Sequence, residues 1–348
     1  MRARGKLRVL VLMHEDLVPP SDPAAAPARE RALWQAELDV LTALRGLGHE
    51  CHPLGVRSDL GVLREAIETW QPDITFNLLE EFHGVAVYDQ HVVSFLELMR
   101  KPYTGCNPRG LTLARDKVLC KKLLTWHRIR VPGFAVYPLG RKVAPPRRLP
   151  YPLFVKSVNE EASLGIAQAS IVHSDEKLVE RVAFVHEQLG TDALVEQYIE
   201  GRELYVAMLG NGRVATLPTW ELAFDNLPDD TAPIATARVK WDRKYQRKLG
   251  VRTGPADDLP EGLAQGIPRL CRRVWSALGL SGYARMDLRL APDGQVYVLE
   301  ANPNPNLQAD EDFAAAAAAG GLVYADLIRR LLALGLRYRA EWMTPTAA

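Results

Sequence analysis

The apolar positions change their spacing several times along the chain, and each change marks an element. Leu7 to Met13 is a continuous aliphatic run that ends in polar His14-Glu15-Asp16, the texture of a strand buried on both faces. A Pro/Ala-rich loop follows through Pro27, and then Leu33, Leu38, Leu41 and Leu44 predict a helix from about Glu30 to Leu47, stopped by Gly46 and Gly48. Cys51 to Val56 reads as a second strand, Leu60 to Thr69 as a helix and Asp73 to Leu79 as a third strand. Such alternation predicts an α/β domain whose parallel sheet is covered on both faces. Ligands of these sheets lie beyond the carboxyl ends of the strands, so His14-Glu15 and Glu80-Glu81 are candidates to line one pocket.

After Lys101-Pro102-Tyr103-Thr104-Gly105 the texture changes. Leu111 to His127 predicts one basic amphipathic helix carrying Arg115-Asp116-Lys117 and Lys121-Lys122, and such lysines more often mark a solvated face than a site. Val131 to Tyr137 and Leu153 to Lys156 read as strands around a Pro-rich loop. Behind Lys156 lies a small polar loop with Ala162, Ser163 and Gly165, whose backbone N–H groups could close over phosphates while the ammonium neutralises the oxygens. It has one glycine and no Gly-Lys-Ser/Thr ending, which excludes a Walker loop, and no dinucleotide fingerprint follows the first strand.

Leu194 to Ile199 ends a further strand, and Glu200-Gly201-Arg202-Glu203 turns into Leu204 to Leu209. A purine nucleoside needs backbone partners, apolar faces and a carboxylate for its ribose, and this segment could supply all three. Trp220 to Pro260 is too rich in Pro, Asp, Arg and Lys for a core element and is expected to be a lid, with Lys240-Trp241 and Lys244-Tyr245 as its tips. Pro268 to Leu278, Phe313 to Ala319 and Leu322 to Leu334 are expected helices.

The richest chemistry sits in Arg285-Met-Asp287 and Leu299-Glu300-Ala-Asn302, joined by Pro292-Asp293-Gly294. A tight turn there places Ala291 opposite Gly294, hence Arg285 opposite Glu300 and Asp287 opposite Val298. Residues two apart share a face, so Arg285, Asp287, Glu300 and Asn302 project together, with the carboxylates diagonal at roughly 7–8 Å. Few carboxylates, with other positions left to water and phosphate, suit Mg²⁺ (or Mn²⁺). Met286, Leu288, Leu290, Tyr297, Leu299 and Ala301 would then face inward.

A chain of 348 residues, 47% hydrophobic, is long enough for two or three packed lobes. Its net charge of +1 gives no field favouring nucleic acid or an anionic membrane as partner. Cys51, Cys106, Cys120 and Cys271 lack paired spacing, which argues for reduced thiols and a cytoplasmic home. The first aliphatic run is too short to span a membrane, and no small-residue cleavage site follows it.

In this order the pieces resemble the ATP-grasp superfamily and, within it, the D-alanine–D-alanine ligases, over roughly Asp73 to Leu334. The motifs are Pro102-Tyr-Thr-Gly105, Arg115-Asp-Lys117, Phe154-Val-Lys156, Val195 to Ile199 with Gly201-Arg-Glu203, Arg285-Met-Asp287 and Leu299-Glu-Ala-Asn302. The resemblance implies an ATP-grasp fold with an N-terminal parallel-sheet domain over 1–108, a central lobe over 109–193 and a C-terminal lobe over 194–340 with its lid at 220–260. It implies ATP held by Lys117, Lys156 and Ser163 at the phosphates, by Glu196, Gln197 and Ile199 at adenine, and by Glu203 at the ribose. Asp287, Glu300 and Asn302 would hold the metal, Arg285, Lys240 and the Asn306 N–H would serve catalysis, and Glu15, Glu80 and Trp241 would meet an amino-acid-like substrate. The implied reaction joins a carboxylate to an amine through an acyl phosphate, in a homodimer. A ligase of the glutathione-synthetase or ribosomal-modification kind, or an ATP sensor without turnover, are the rival expectations. The departures fall in the amino-acid half: Met13-His14-Glu15-Asp16 replaces a glycine-rich opening, and Asn306 stands where the family has glycine.

Overall fold

The computed structural model describes residues 5–159, 165–229 and 231–340. Three sheets, each with its own helices, divide the chain. In the first, β1 (Arg8–His14) lies between β2 (Glu50–Val56) and β3 (Ile74–Asn77), all parallel as predicted. The helix expected from Glu30 is two: a single turn α1 (Ala28–Arg31) and then α2 (Gln35–Gly46). The chain breaks between them because Trp34 turns into the core while Leu33, counted in the apolar stripe, is 67% exposed. The helices α3 (Leu60–Trp70) and α4 (Asp89–Leu98) follow.

The basic helix is also divided, into α5 (Pro108–Arg115) and α6 (Lys117–Trp126). Asp116 makes the break: with ψ 98 its carboxylate accepts the N–H groups of Val118 and Leu119, capping the second helix. The second sheet is antiparallel in the order β4-β7-β5-β6, from β4 (Phe134–Tyr137), β5 (Leu153–Ser157), β6 (Ile171–Val172) and β7 (Ala193–Gln197), with α7 (Asp175–Phe184) against it. Because β7 pairs with both β4 and β5, it belongs to this sheet and crosses the division expected at 193/194.

The third sheet has the path β11-β10-β8-β12-β13, with β9 beside β8. Its members are β8 (Arg202–Gly210), β9 (Val214–Thr216), β10 (Trp220–Phe224), β11 (Val251–Pro255), β12 (Gly282–Leu290) and β13 (Val296–Pro303). The segment read as irregular lid is therefore bounded by two sheet strands, β10 and β11, and only the part between them, with α8 (Ala237–Trp241) and α9 (Arg243–Leu249), stands off the sheet. The expected helix at Pro268 begins earlier, as α10 (Glu261–Ala277). The last two helices are α11 (Asp312–Ala319) and α12 (Tyr324–Arg337).

The lobes share cores. Leu10 and Leu12 face one way from β1, while Val9, Val11 and Met13 face a second core that includes Leu327, Ile328 and Leu331 of α12. The joint at Tyr103-Thr104-Gly105-Cys106 is tight: the Cys106 N–H donates to Asn304 Oδ1 at 2.8 Å and Asn107 Nδ2 to the Gly279 carbonyl at 2.8 Å. A Cβ on Gly282 would lie 2.2 Å from the Gly105 carbonyl oxygen, so the close approach requires glycine there.

Candidate functional site

The β12–β13 hairpin presents the central chemistry, in a register two residues from the expected one. Ala291 N–H donates to the Gln295 carbonyl at 2.9 Å and Gly294, at φ 80, closes the loop, so the turn holds three residues rather than two. A bulge between Asp287 and Leu288 on the pairing adds a second shift and sets Asp287 opposite Glu300 and Arg285 opposite Asn302. The two shifts together are even, so all four polar side chains keep one face. The apolar side changes: Val298 is in the core beside Met286 and Leu288, whereas Tyr297 and Leu299 are not.

These side chains converge. Arg285 donates from Nε to Asp287 Oδ1 at 2.7 Å and from Nη2 to Oδ2 at 2.8 Å, with its guanidinium 4.6 Å from the Tyr205 ring centre. Asn302 Nδ2 donates to Asp287 Oδ2 at 2.9 Å and to Glu300 Oε1 at 3.3 Å. Burial raises the Asp287 carboxyl above its usual range against the pull of Arg285. Burial also pushes Glu300 upward, but Lys156, Lys117 and Lys240 outweigh it and hold that carboxyl at about 2. Glu300 is thus an anion at which three cations converge. The two carboxylates, with the Asn302 amide whose Nδ2 faces them and whose oxygen a turn of the amide brings round, fit a hard divalent ion completed by water and phosphate. Among the described residues no group of three or more His, Cys, Asp or Glu is placed to hold a metal ion, so the hairpin offers two carboxylates and an amide only.

A cleft runs on from this face in two connected parts that share Lys156, Lys240 and Glu300. The inner part is walled by Glu196, Gln197, Tyr198, Ile199 and Glu203, with Ile166, Ile234 and Leu299 as apolar sides. The Glu203 carboxylate is fixed, accepting from Arg289 Nη2 at 2.8 Å and from the Tyr205 hydroxyl at 2.8 Å. The outer part is lined by Lys117, Arg285, Asn302, Asn306 and Glu80, and by Asp310, Glu311 and Asp312. Asn306 is not among the residues with positive φ, whereas Asn304 is, at φ 52, so the N–H of Asn306 is presented without needing glycine.

The expected site residues therefore gather, with exceptions. Glu15 is turned away: it and Asp16 are bound by Arg57, with Arg57 Nη2 2.7 Å from Asp16, and it does not line the cleft. Of its neighbours, His14 Nε2 lies 3.4 Å from Glu81, so the two strand ends meet, but of the four residues expected to line one pocket only Glu80 lines the cleft. Of the two lid pairs, Lys240 reaches the cleft and Lys244 is exposed. Trp241 follows Lys240 in α8, but its side chain, like Ser163 and Ala162, lies outside the described residues.

Sequence reasoning missed three buried cations. Arg289 binds the carbonyls of Gly201 at 3.1 Å and Pro233 at 3.0 Å besides Glu203. Arg115, 6% exposed, donates to Asp89 at 2.6 Å. Lys121, read as part of a solvated face, is 1% exposed while Lys122 is on the surface. Its signal was available: Lys117, Lys121 and Leu124 follow one another at helical spacing and share a face.

Comparison with known proteins points to one family and one fold. The family described as D-ala D-ala ligase C-terminus matches residues 141–333. A D-alanine–D-alanine ligase of Bordetella petrii is 33% identical over 70% of this chain and 71% of its own. That of Desulforudis audaxviator is 31% identical over 85% of this chain and 90% of its own. An uncharacterized protein of Sinorhizobium fredii, y4sG, is 33% identical over 84% of this chain and 85% of its own. The crystal structure of the Bacillus anthracis D-alanine–D-alanine ligase with ATP shares the fold, with TM-score 0.72, 20% identity and coverage of 95% of this chain and 98% of that one.

Proposed function

Because this chain belongs to the D-alanine–D-alanine ligase family of ATP-dependent ligases, we propose that its cleft activates an amino-acid-like carboxylate and joins it to an amine. The γ-phosphate of ATP passes to the carboxylate oxygen, releasing ADP. The amine then attacks the acyl carbon, the C–O bond to phosphate breaks, and phosphate and a proton leave. The observation that carries the reading is the convergence of Lys117, Lys156 and Lys240 on the Glu300 carboxylate, at the junction of the two parts of the cleft.

The residues divide the work. Glu196 to Ile199 and Glu203 wall the part suited to adenine and ribose, and Lys117 and Lys156 face the phosphates. Asp287, Glu300 and Asn302 would hold Mg²⁺, which when bound neutralises phosphate charge. Arg285 and the Asn306 N–H stand at the outer part, where an oxyanion forms as the amine adds. Asp287 fixes the Arg285 guanidinium through two hydrogen bonds, so it needs little reorganisation. Lys240 comes from the lid, whose closure keeps water from the acyl phosphate.

The relatives' names make D-alanine the first substrate to try. The outer cleft nevertheless carries Glu80, Asp310, Glu311 and Asp312, which complement a substrate ammonium better than a further carboxylate. The reading extends to a cytoplasmic homodimer, on likeness to the family alone; among the described residues no helix is long and apolar enough to cross a membrane. The test is Mg²⁺-dependent ADP release across D-, L- and hydroxy-acid panels, singly and in pairs, with product masses and with hydroxylamine as a trap for acyl phosphate. Hydroxamate from one donor supports the reading. Tight ATP binding with no hydroxamate from any donor favours a sensor instead.

A further inference from the structure

Lys121 has no part in the roles above, yet it is among the most buried charges of the molecule. Its ammonium lies 2.8 Å from Glu196 Oε1 and donates to the Leu299 carbonyl at 3.0 Å. The other Glu196 oxygen lies 3.3 Å from Lys156 Nζ. One buried carboxylate thus serves two buried ammonium groups, and of the two only Lys156 lines the cleft. Burial pulls the Lys121 ammonium down in pKa, with Glu196 opposing, whereas for Lys156 the carboxylates of Glu196 and Glu300 more than offset burial. At low local dielectric an isolated Glu196 would hold the Lys156 charge to itself. Lys121 approaches the same carboxylate from α6 and lines neither part of the cleft.

We propose that Lys121 is a positioning residue for nucleotide binding: it neutralises Glu196 from α6, leaving the Lys156 ammonium available to phosphate oxygens. This rests on the assignment of the inner cleft to ATP. Two consequences separate it from a purely structural role. Loss of Lys121 acts on phosphates more than on the nucleoside, and the effect vanishes once Glu196 carries no charge.

The experiment measures binding of Mg²⁺-adenylyl imidodiphosphate and of adenosine to the full chain in four forms: wild type, Lys121→Met, Glu196→Gln and the double variant. Lys121→Met is expected to weaken the triphosphate about tenfold and adenosine less than about twofold. The double variant is expected to bind the triphosphate within about threefold of Glu196→Gln alone. Equal weakening of both ligands, or none, overturns the proposal. So does a further tenfold loss when Lys121 is removed from the Glu196→Gln protein, and that comparison decides the matter even where Lys121→Met alone fails to fold. A wild type that binds neither ligand removes the nucleotide assignment itself, and the proposal with it.

Discussion

Glu37 shows what a single misplaced carboxyl does to the pH dependence of this chain. It projects from α2 and is 6% exposed. Burial, with lesser help from Glu80 and Asp39, raises its carboxyl from 4.5 to about 7, although its own backbone N–H pulls the other way. Between those values the unfolded chain gives up a proton that the folded one keeps. Stability is therefore full below the lower value, falls as pH rises through the upper, and stays reduced above it. At ~1.4 kcal/mol for each pH unit the loss is about 3 kcal/mol. Glu37→Gln is accordingly expected to be more stable than wild type at pH 8 by up to about 3 kcal/mol, and nearly equal to it at pH 4.5. Urea midpoints at the two pH values measure this, and an equal difference at both would contradict it. Nothing in the sequence announces the effect, because Glu37 lies between Ala36 and Leu38 on a helix whose one other acid, Asp39, is not buried.

At the scale of elements, the β12–β13 hairpin explains both what was legible and what was not. Alternation alone fixes which of Arg285, Asp287, Glu300 and Asn302 share a face, and any even slip preserves that answer. It cannot reveal the bulge, since Val296-Tyr-Val-Leu on β13 is apolar at every position and fits either face. The β11 strand was hidden for a different reason. It is an edge strand of largely exposed residues, Val251-Arg-Thr-Gly-Pro255, and carries no buried alternation to read. Charge is ambiguous in the same way on α6, where Lys121 and Lys122 differ only in the side on which they fall.

Two predictions belong at this scale. Asp287→Ala with Glu300→Ala removes both carboxylates of the hairpin and is expected to lower Mg²⁺-dependent ADP release by at least about 10²-fold; full turnover in that variant would exclude the assigned metal site. Gly282→Ala puts a Cβ against the Gly105 carbonyl at a residue with φ 72. It is expected to cost at least about 2–3 kcal/mol, seen as a lower thermal midpoint, since neither backbone has room to yield.

The molecule as a whole brings three sheets to one cleft, and the proposed lid, the segment between β10 and β11, adds Val239, Lys240 and Gln246 to its lining. Its root is tied to the central lobe: Gln168 Nε2 donates to the Ala232 carbonyl at 3.0 Å and the Ala232 N–H to Gln168 Oε1 at 3.1 Å. Its far end is anchored where β11 pairs with β10. Between these anchors α8 turns Lys240 into the cleft while α9 presents Arg243, Lys244, Arg247 and Lys248 to solvent. A ligand phosphate gives Lys240 a second anion besides Glu300, and any closure it favours is limited by the difference in its contacts between the open and closed lid. Trypsin reads that difference at the α9 basic residues. Cleavage there is expected to slow several-fold with Mg²⁺ and adenylyl imidodiphosphate together, and not with adenosine, which lacks phosphates. Lys240→Ala is expected to abolish the protection while the analogue still binds through Lys117 and Lys156. Equal protection in wild type and Lys240→Ala would mean that the lid responds to the nucleotide through its anchored root rather than through the lysine at its tip.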